Sequence, residues 1–223
     1  EAEAELEKII ALAPQNPEPY LTLARFHAEQ KAYDKARAVL LRLVQHQPGH
    51  GSALFFLGQL AIETQDWDEA TARLKRVVEL DPDHDGAWTA LGYVYETRHQ
   101  TDEALRVYRQ GLQANPGNPI FVERLADLLI RLGRFEEAQR EIEELTGIAP
   151  REPRAWMKLG ALYYERKLFD KAVQAFRHVL LLEPGNLRAR FSVAAAYMEA
   201  GKDAEARAEL EGILRADPRS IDA

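Results

Sequence analysis

Residues 87–118 read AWTALGYVYETRHQTDEALRVYRQGLQANPGN, and this stretch decides the fold because it returns along the whole chain. Its proline, Pro116, is one of seven, at Pro14, Pro48, Pro82, Pro116, Pro150, Pro184 and Pro218, always 34 residues apart. An unbroken period of this size marks a repeat architecture, in which one supersecondary unit is stacked many times. Six complete repeats follow, at 17–50, 51–84, 85–118, 119–152, 153–186 and 187–220.

Other places recur with the proline. The twentieth place of every repeat is alanine: Ala36, Ala70, Ala104, Ala138, Ala172 and Ala206. The seventh place is Leu23, Leu57, Leu91, Leu125, Leu159 or Val193, and the eighth is small: Ala24, Gly58, Gly92, Ala126, Gly160 or Ala194. The fourth is bulky in five repeats (Tyr20, Leu54, Trp88, Val122, Trp156), and the last departs with Arg190, which predicts a more solvated final repeat. Places 4, 7, 8 and 11 share one helical face, and places 20, 24 and 27 share a face of a second helix. Each repeat therefore reads as two amphipathic helices. Asn16-Pro17 and Asn118-Pro119 read as an N-cap followed by proline in the first turn, where the missing N–H costs nothing. Second helices are expected to open near Asp34, Asp68, Asp102, Glu136, Asp170 and Asp203, acids that cap or oppose the positive helix end.

The recurring bulky residue, Leu, Gly/Ala, Tyr, Ala, aromatic, Ala and Pro across 34 residues resembles the tetratricopeptide-repeat family over residues 17–220. The resemblance implies an all-α, right-handed superhelical solenoid of antiparallel helix pairs, with first helices lining a concave groove that holds partners. Residues 1–16 fit as the second helix of a truncated preceding repeat, through Ala2, Leu6, Ile9 and Pro14, and 221–223 as the start of a further one. The reading is of one continuous solenoid with both ends cut from a longer protein, and self-association through the uncapped ends is expected. One repeat cannot fold alone: about five buried large side chains return roughly 1.5–3 kcal/mol each, against ~1–2 kcal/mol of backbone entropy for every residue ordered.

Composition bounds the function. The chain has 223 residues, 46% hydrophobic and 29% charged, with net charge -7. Such a balance belongs to folded, soluble domains. Acidity argues against nucleic-acid binding, which depends on clustered cations at phosphates. No apolar run is long enough to span a bilayer, and the opening EAEAELEKII lacks the basic-then-apolar order of a signal, so no direct membrane insertion is expected. The absence of cysteine removes thiolate chemistry and suits a cytoplasmic or a periplasmic setting equally. The six histidines have no recurring Ser or Thr neighbour, and no phosphate loop or H-E-x-x-H occurs, so neither catalysis nor a cofactor is expected. His50 and His84 occupy equivalent turns near Asp81, Asp83 and Asp85; a shared metal ion is the sharp reading, and solvated turn residues the preferred one. Glu136, Glu137, Glu141, Glu143 and Glu144 read as a solvated outer face, and Trp67, Phe135 and Phe169 as core rings.

The family places groove residues at first-helix places 2, 5, 6, 9, 12 and 13. In the early repeats these include Phe55, Phe56, Gln59, Ile62 and Tyr93; in the later ones, Arg124, Arg154, Lys158 and Arg188. The four cations form an expected basic strip, read either as a site for an acidic or C-terminal peptide or as internal salt bridges with Glu123 and Asp127. Glu165 and Glu199 lie deeper. Phe55, Phe56, Tyr93, Tyr164 and Phe191 are candidate apolar anchors, or equally packing residues. Family members that clamp a partner's C-terminal carboxylate use Lys and Asn in one repeat, Asn in the next, and Lys and Arg in the third. Arg154 and Lys158 match the third set, but Arg124, Thr89 and Tyr93 stand where the others belong. The resulting expectation is a protein- or peptide-binding scaffold, with a non-catalytic arm of a polysaccharide-export, pilus-export or glycosyltransferase machine, or a self-assembling scaffold, as alternatives.

Overall fold

The computed structural model describes residues 2–116 and 118–216. Among them are thirteen helices and no strand: α1 (Ala2–Leu12), α2 (Pro17–Glu29), α3 (Tyr33–His46), α4 (Gly51–Glu63), α5 (Trp67–Leu80), α6 (Asp85–Thr97), α7 (Thr101–Ala114), α8 (Pro119–Arg131), α9 (Phe135–Ile148), α10 (Pro153–Glu165), α11 (Phe169–Leu182), α12 (Leu187–Glu199) and α13 (Asp203–Ala216). The fold is an all-α repeat solenoid, in which α1 has the place of a half repeat and six pairs follow. The chain divides into an N-terminal unit, Glu1–Asn115, and a C-terminal unit, Pro116–Ala223. Residues 221–223, expected to open a further repeat, lie outside the described residues.

The twentieth-place alanines are 0–3% exposed and the seventh-place residues 0–4%, so both faces inferred from spacing are the buried ones. The eighth place sets how closely the two helices of a pair approach. A Cβ built on Gly92 would lie 2.2 Å from the Tyr108 ring, one on Gly160 2.5 Å from Phe176, and one on Gly58 2.9 Å from Leu74. Where the eighth place is Ala24 or Ala126, the opposing twenty-fourth place is Leu40 or Ile142 instead of a ring. Both rings thus stand opposite glycine, while an aliphatic side chain stands opposite either glycine, as Leu74 does Gly58, or alanine.

All six turns inside a pair use the same stop. The fifteenth place enters the left-handed region, at Lys31, Gln65, His99, Gly133, Lys167 and Gly201, with φ between 57° and 70°. The next amide bonds back to the eleventh-place carbonyl, as in Ala32 N to His27 O and Arg134 N to Leu129 O. This is the Schellman geometry, which satisfies carbonyls that the helix end leaves free.

Between pairs, caps close the first helices. Asn16 and Asn118 accept from the amides of Glu18 and Ile120, as the Asn-Pro pairs predict. The acids expected at second-helix starts, such as Asp34 and Asp170, sit within the first turn. They oppose the helix dipole there, while the cap residues of α3, α7, α9 and α11 make no side-chain capping bond to the helix amides. The preceding Asp66 caps α5, accepting from Glu69 N. Fourth-place donors reach back across the turn: Tyr20, Trp88, Trp156 and Arg190 each donate to the carbonyl of the proline six residues before. Arg190 thus substitutes for a ring and is half-buried.

Within each unit, ion pairs then strap a repeat to its neighbour. Arg42 grips Glu7, Arg37 Glu69, Arg98 Asp68, Arg166 Glu136, Arg177 Glu209 and Lys202 Asp170, all between 30 and 35 residues apart. The expected solvated carboxylates of α9 are accordingly engaged: Glu136 with Arg166, Glu137 with Arg134, and Glu143 with the Tyr163 hydroxyl. Trp67, Phe135 and Phe169, expected in the core, are half-buried at helix starts.

Candidate functional site

In the C-terminal unit, α8, α10 and α12 carry the four cations. Places 2 and 6 fall one turn apart on the face away from the buried places 4, 7 and 8. The side chains of Arg154, Lys158 and Arg188 line one pocket of about 600 Å³, floored by Met157, Ala161 and Phe176. Arg124, exposed on α8, does not line it.

The charges in this pocket are unequal in availability. Lys158 is held by Asp127 on α8. Among the described residues, the Arg154, Arg188 and Arg124 guanidinium groups make no ion pair. Two of the pocket's three acids have other duties. Glu152 caps α10 by accepting from Arg154 N, and Glu183 accepts from the Asn186 amide. Asn186 in turn caps α12 through Ala189 N. Glu123 is the remaining carboxylate on the wall.

The aromatic candidates separate. Tyr164 packs edge-on against Phe169 at 5.7 Å, and Phe191 is half-buried on α12; neither lines the pocket. In the N-terminal unit, Phe55 and Phe56 line a second pocket, of about 690 Å³, between α2, α4 and the start of α6. Phe56 also packs on the buried cluster around Leu23 and Leu57. Phe55 lies against His84, ring centroids 4.5 Å apart, and over Gly86, where a Cβ would stand 3.3 Å from the ring. Tyr93 is 51% exposed and outside this pocket.

His50 and His84, weighed as a metal pair or as solvated turn residues, are half-buried helix caps. Each accepts through Nδ1 from an amide three residues on, Ala53 N at 3.2 Å and Ala87 N at 3.1 Å. The sequence reading also passed over Glu18, Leu21, Arg25 and Glu29 of α2, which line the N-terminal pocket. They occupy places 2, 5, 9 and 13, so the groove rule applied to the first repeat would have found them. Met157 and Ser192, at places 5 and 6, are the equivalent omissions in the C-terminal pocket.

Among the described residues, no helix is long and apolar enough to cross a membrane. Two proteins of Arabidopsis thaliana are similar over short stretches. Cell division cycle protein 27 homolog A is 39% identical over 67 residues, 30% of this chain and 9% of that protein. Protein NPGR1 is 29% identical over 101 residues, 44% of this chain and 15% of that protein. The matched stretches are thus a small part of either relative. Among solved structures, MamA superposes with a TM-score of 0.61 at 20% identity, covering 77% of this chain and 94% of that one. A tetratricopeptide repeat protein from Parabacteroides merdae gives 0.61 at 18%, covering 89% and 79%. YrrB, described as a TPR protein with an unusual peptide-binding site, gives 0.59 at 18%, covering 82% and 94%. At these identities the likeness is one of fold. The tetratricopeptide-repeat pattern itself matches residues 1–50, 97–162 and 163–223, and a second pattern of the same family matches 55–119. With these matches running through nearly all of the period that the prolines mark, the chain belongs to the tetratricopeptide-repeat family.

Proposed function

We propose that the C-terminal unit binds an extended acidic segment, or the C-terminus, of a partner protein, with Arg154 and Arg188 as the groups that hold its carboxylates. The repeats make the chain a protein-interaction scaffold, and the proposal concerns what the scaffold takes. The observation that carries it is the pairing pattern of one pocket: Lys158 is spent on Asp127, while among the described residues no carboxylate engages the two guanidinium groups that line it with Lys158. Arginine suits this work because its planar fork makes two parallel hydrogen bonds to a carboxylate and is weakly hydrated. The three cations share the pocket with three carboxylates, two of which already accept hydrogen bonds, so it is the open guanidinium donors that recommend an anionic ligand. Met157 and Phe176 give the floor an apolar surface for the segment's side chains. That YrrB is described as having a peptide-binding site supports a peptide as ligand for this fold. The chain's part is binding, without catalysis.

The test is fluorescence anisotropy with a labelled Asp/Glu-rich peptide and its Asn/Gln counterpart, on the intact chain and on R154E/R188E. The acidic peptide is expected to bind more tightly, to lose about tenfold or more on the double substitution, and to weaken steeply with salt, since exposed charges are screened over roughly 10 Å at 0.1 M. Equal binding of the two peptides, or indifference to the substitution, would refute the proposal.

A further inference from the structure

The N-terminal pocket has a different character. Its floor is Leu21, Phe55 and Phe56, and its rim is Glu18, Glu29 and Arg25, with no lysine among the lining residues. Among the described residues, Glu18 and Glu29 form no ion pair and Arg25 none either. Arg25 offsets one carboxylate, and the rim keeps a net negative charge.

One wall of this pocket is fixed in advance. Phe55 stands between the His84 ring and the backbone of Gly86, whose missing Cβ leaves just enough room. Phe56 is anchored in the core cluster. Rings immobilised in this way lose little entropy when a ligand side chain packs on them. His84 adds a polar group. Because its Nδ1 accepts from Ala87 N, the ring proton of the neutral imidazole is assigned to Nε2, which makes His84 a donor at the pocket. Gln59 supplies both a donor and an acceptor on α4.

We infer that this pocket is a second interaction surface, for an extended peptide that seats an apolar or aromatic side chain on Phe55 and Phe56 and directs a neighbouring Lys or Arg to Glu18 or to Glu29, which stand at opposite ends of α2. Charge complementarity selects this occupant. An acidic segment would meet the two carboxylates, and a purely apolar one would leave them without partners. Gln59 and His84 face a peptide's amide and carbonyl groups in either case. The inference goes beyond the acidic-peptide site and stands on different residues, so the scaffold takes two chemically distinct segments through its two units.

A random-peptide phage library selected on the intact chain tests both readings and separates them. Each recovered clone is rescreened on E18K/E29K and on R154E/R188E, all four positions being exposed, with circular dichroism confirming the fold of both variants. Clones lost on E18K/E29K alone are expected, carrying an aromatic or aliphatic residue within two positions of Lys or Arg. As synthetic peptides they should weaken about tenfold or more when that apolar residue becomes Ala, or the basic one Glu. Failure to recover any clone that depends on Glu18 and Glu29 overturns the inference, as does recovery of dependent clones that lack a basic residue. Clones lost on R154E/R188E alone report on the C-terminal pocket, so either site can fail while the other stands.

Discussion

The indole Nε1 of Trp88 donates to the Pro82 carbonyl at 2.7 Å. One contact thereby links two of the periodic places, the bulky fourth residue and the proline that precedes the repeat. Tyr20 with Pro14, Trp156 with Pro150 and Arg190 with Pro184 repeat it with different donors at 3.3, 2.9 and 3.4 Å. Leu54 and Val122 have no such donor, so the contact is a variable reinforcement of a common turn. Trp88→Phe removes the N–H together with part of the buried indole, and is expected to cost about 0.5–1.5 kcal/mol for the hydrogen bond plus the loss from the cavity left behind. Urea unfolding monitored by circular dichroism reads this directly.

The close approach at Gly92 makes a coupled prediction. Gly92→Ala places a methyl on the Tyr108 ring and should destabilise the chain by about 1–3 kcal/mol through overpacking. Adding Tyr108→Leu recreates the small-large match that Ala24 and Leu40 already make, and should recover part of that loss. A double-mutant cycle with no coupling between the two sites would show that the pair is not packed as described.

The left-handed fifteenth place predicts unequal effects for changes made at equivalent positions. Gly133→Ala and Gly201→Ala force a Cβ into that region and should each cost about 1–2 kcal/mol. Lys31→Gly and Lys167→Gly remove the same strain but loosen the unfolded chain, so their effect should be small, within about 1 kcal/mol either way. Thermal melts of the four variants discriminate the two classes.

The Tyr163 hydroxyl is pushed up to about 12 by burial and then by its hydrogen bond to Glu143. A raised folded value means that the unfolded chain gives up this proton first. The stabilisation is complete below the ordinary value of 10.0 and is lost as pH rises from there through about 12. Tyr163→Phe should flatten the fall of stability in that window. On the acid side the hydrogen bonds from Arg42 hold the Glu7 carboxyl below its ordinary range. Its contribution is present above the unfolded value and declines as pH falls through the folded one, and Glu7→Gln should remove that decline.

His84→Asn should preserve the α6 cap, because asparagine accepts the same amide well, whereas His84→Ala should lose about 0.5–2 kcal/mol. The comparison tests the capping role independently of any ligand at the pocket.

How much of this was legible varies by the range of the interaction. The period, the buried alanines and the Asn-Pro caps depend on residues close in sequence, and periodicity exposes them. The left-handed turns were hidden because four of six use Lys, Gln or His, residues that carry no turn signal. Histidine as a cap was missed for a similar reason: its Nδ1 imitates the oxygen of Asn, but the residue is read first as a ligand or a base. The basic strip was visible as composition. That Lys158 is neutralised and Arg154 is not depends on which rotamer meets Asp127, and a period of 34 cannot encode that.

The straps between neighbouring repeats carry a consequence for how the molecule comes apart. Each of those pairs, like the Lys158 pair with Asp127, closes a loop of about one period. Within each compact unit, therefore, most of the order is made by short-range closures that resemble one another. Folding should be fast for the chain's length, since its contact order is low. Force applied to the ends should remove helices one or two at a time, in a series of similar steps instead of one large rupture. Such a chain should lengthen in increments under load while its remaining repeats stay closed.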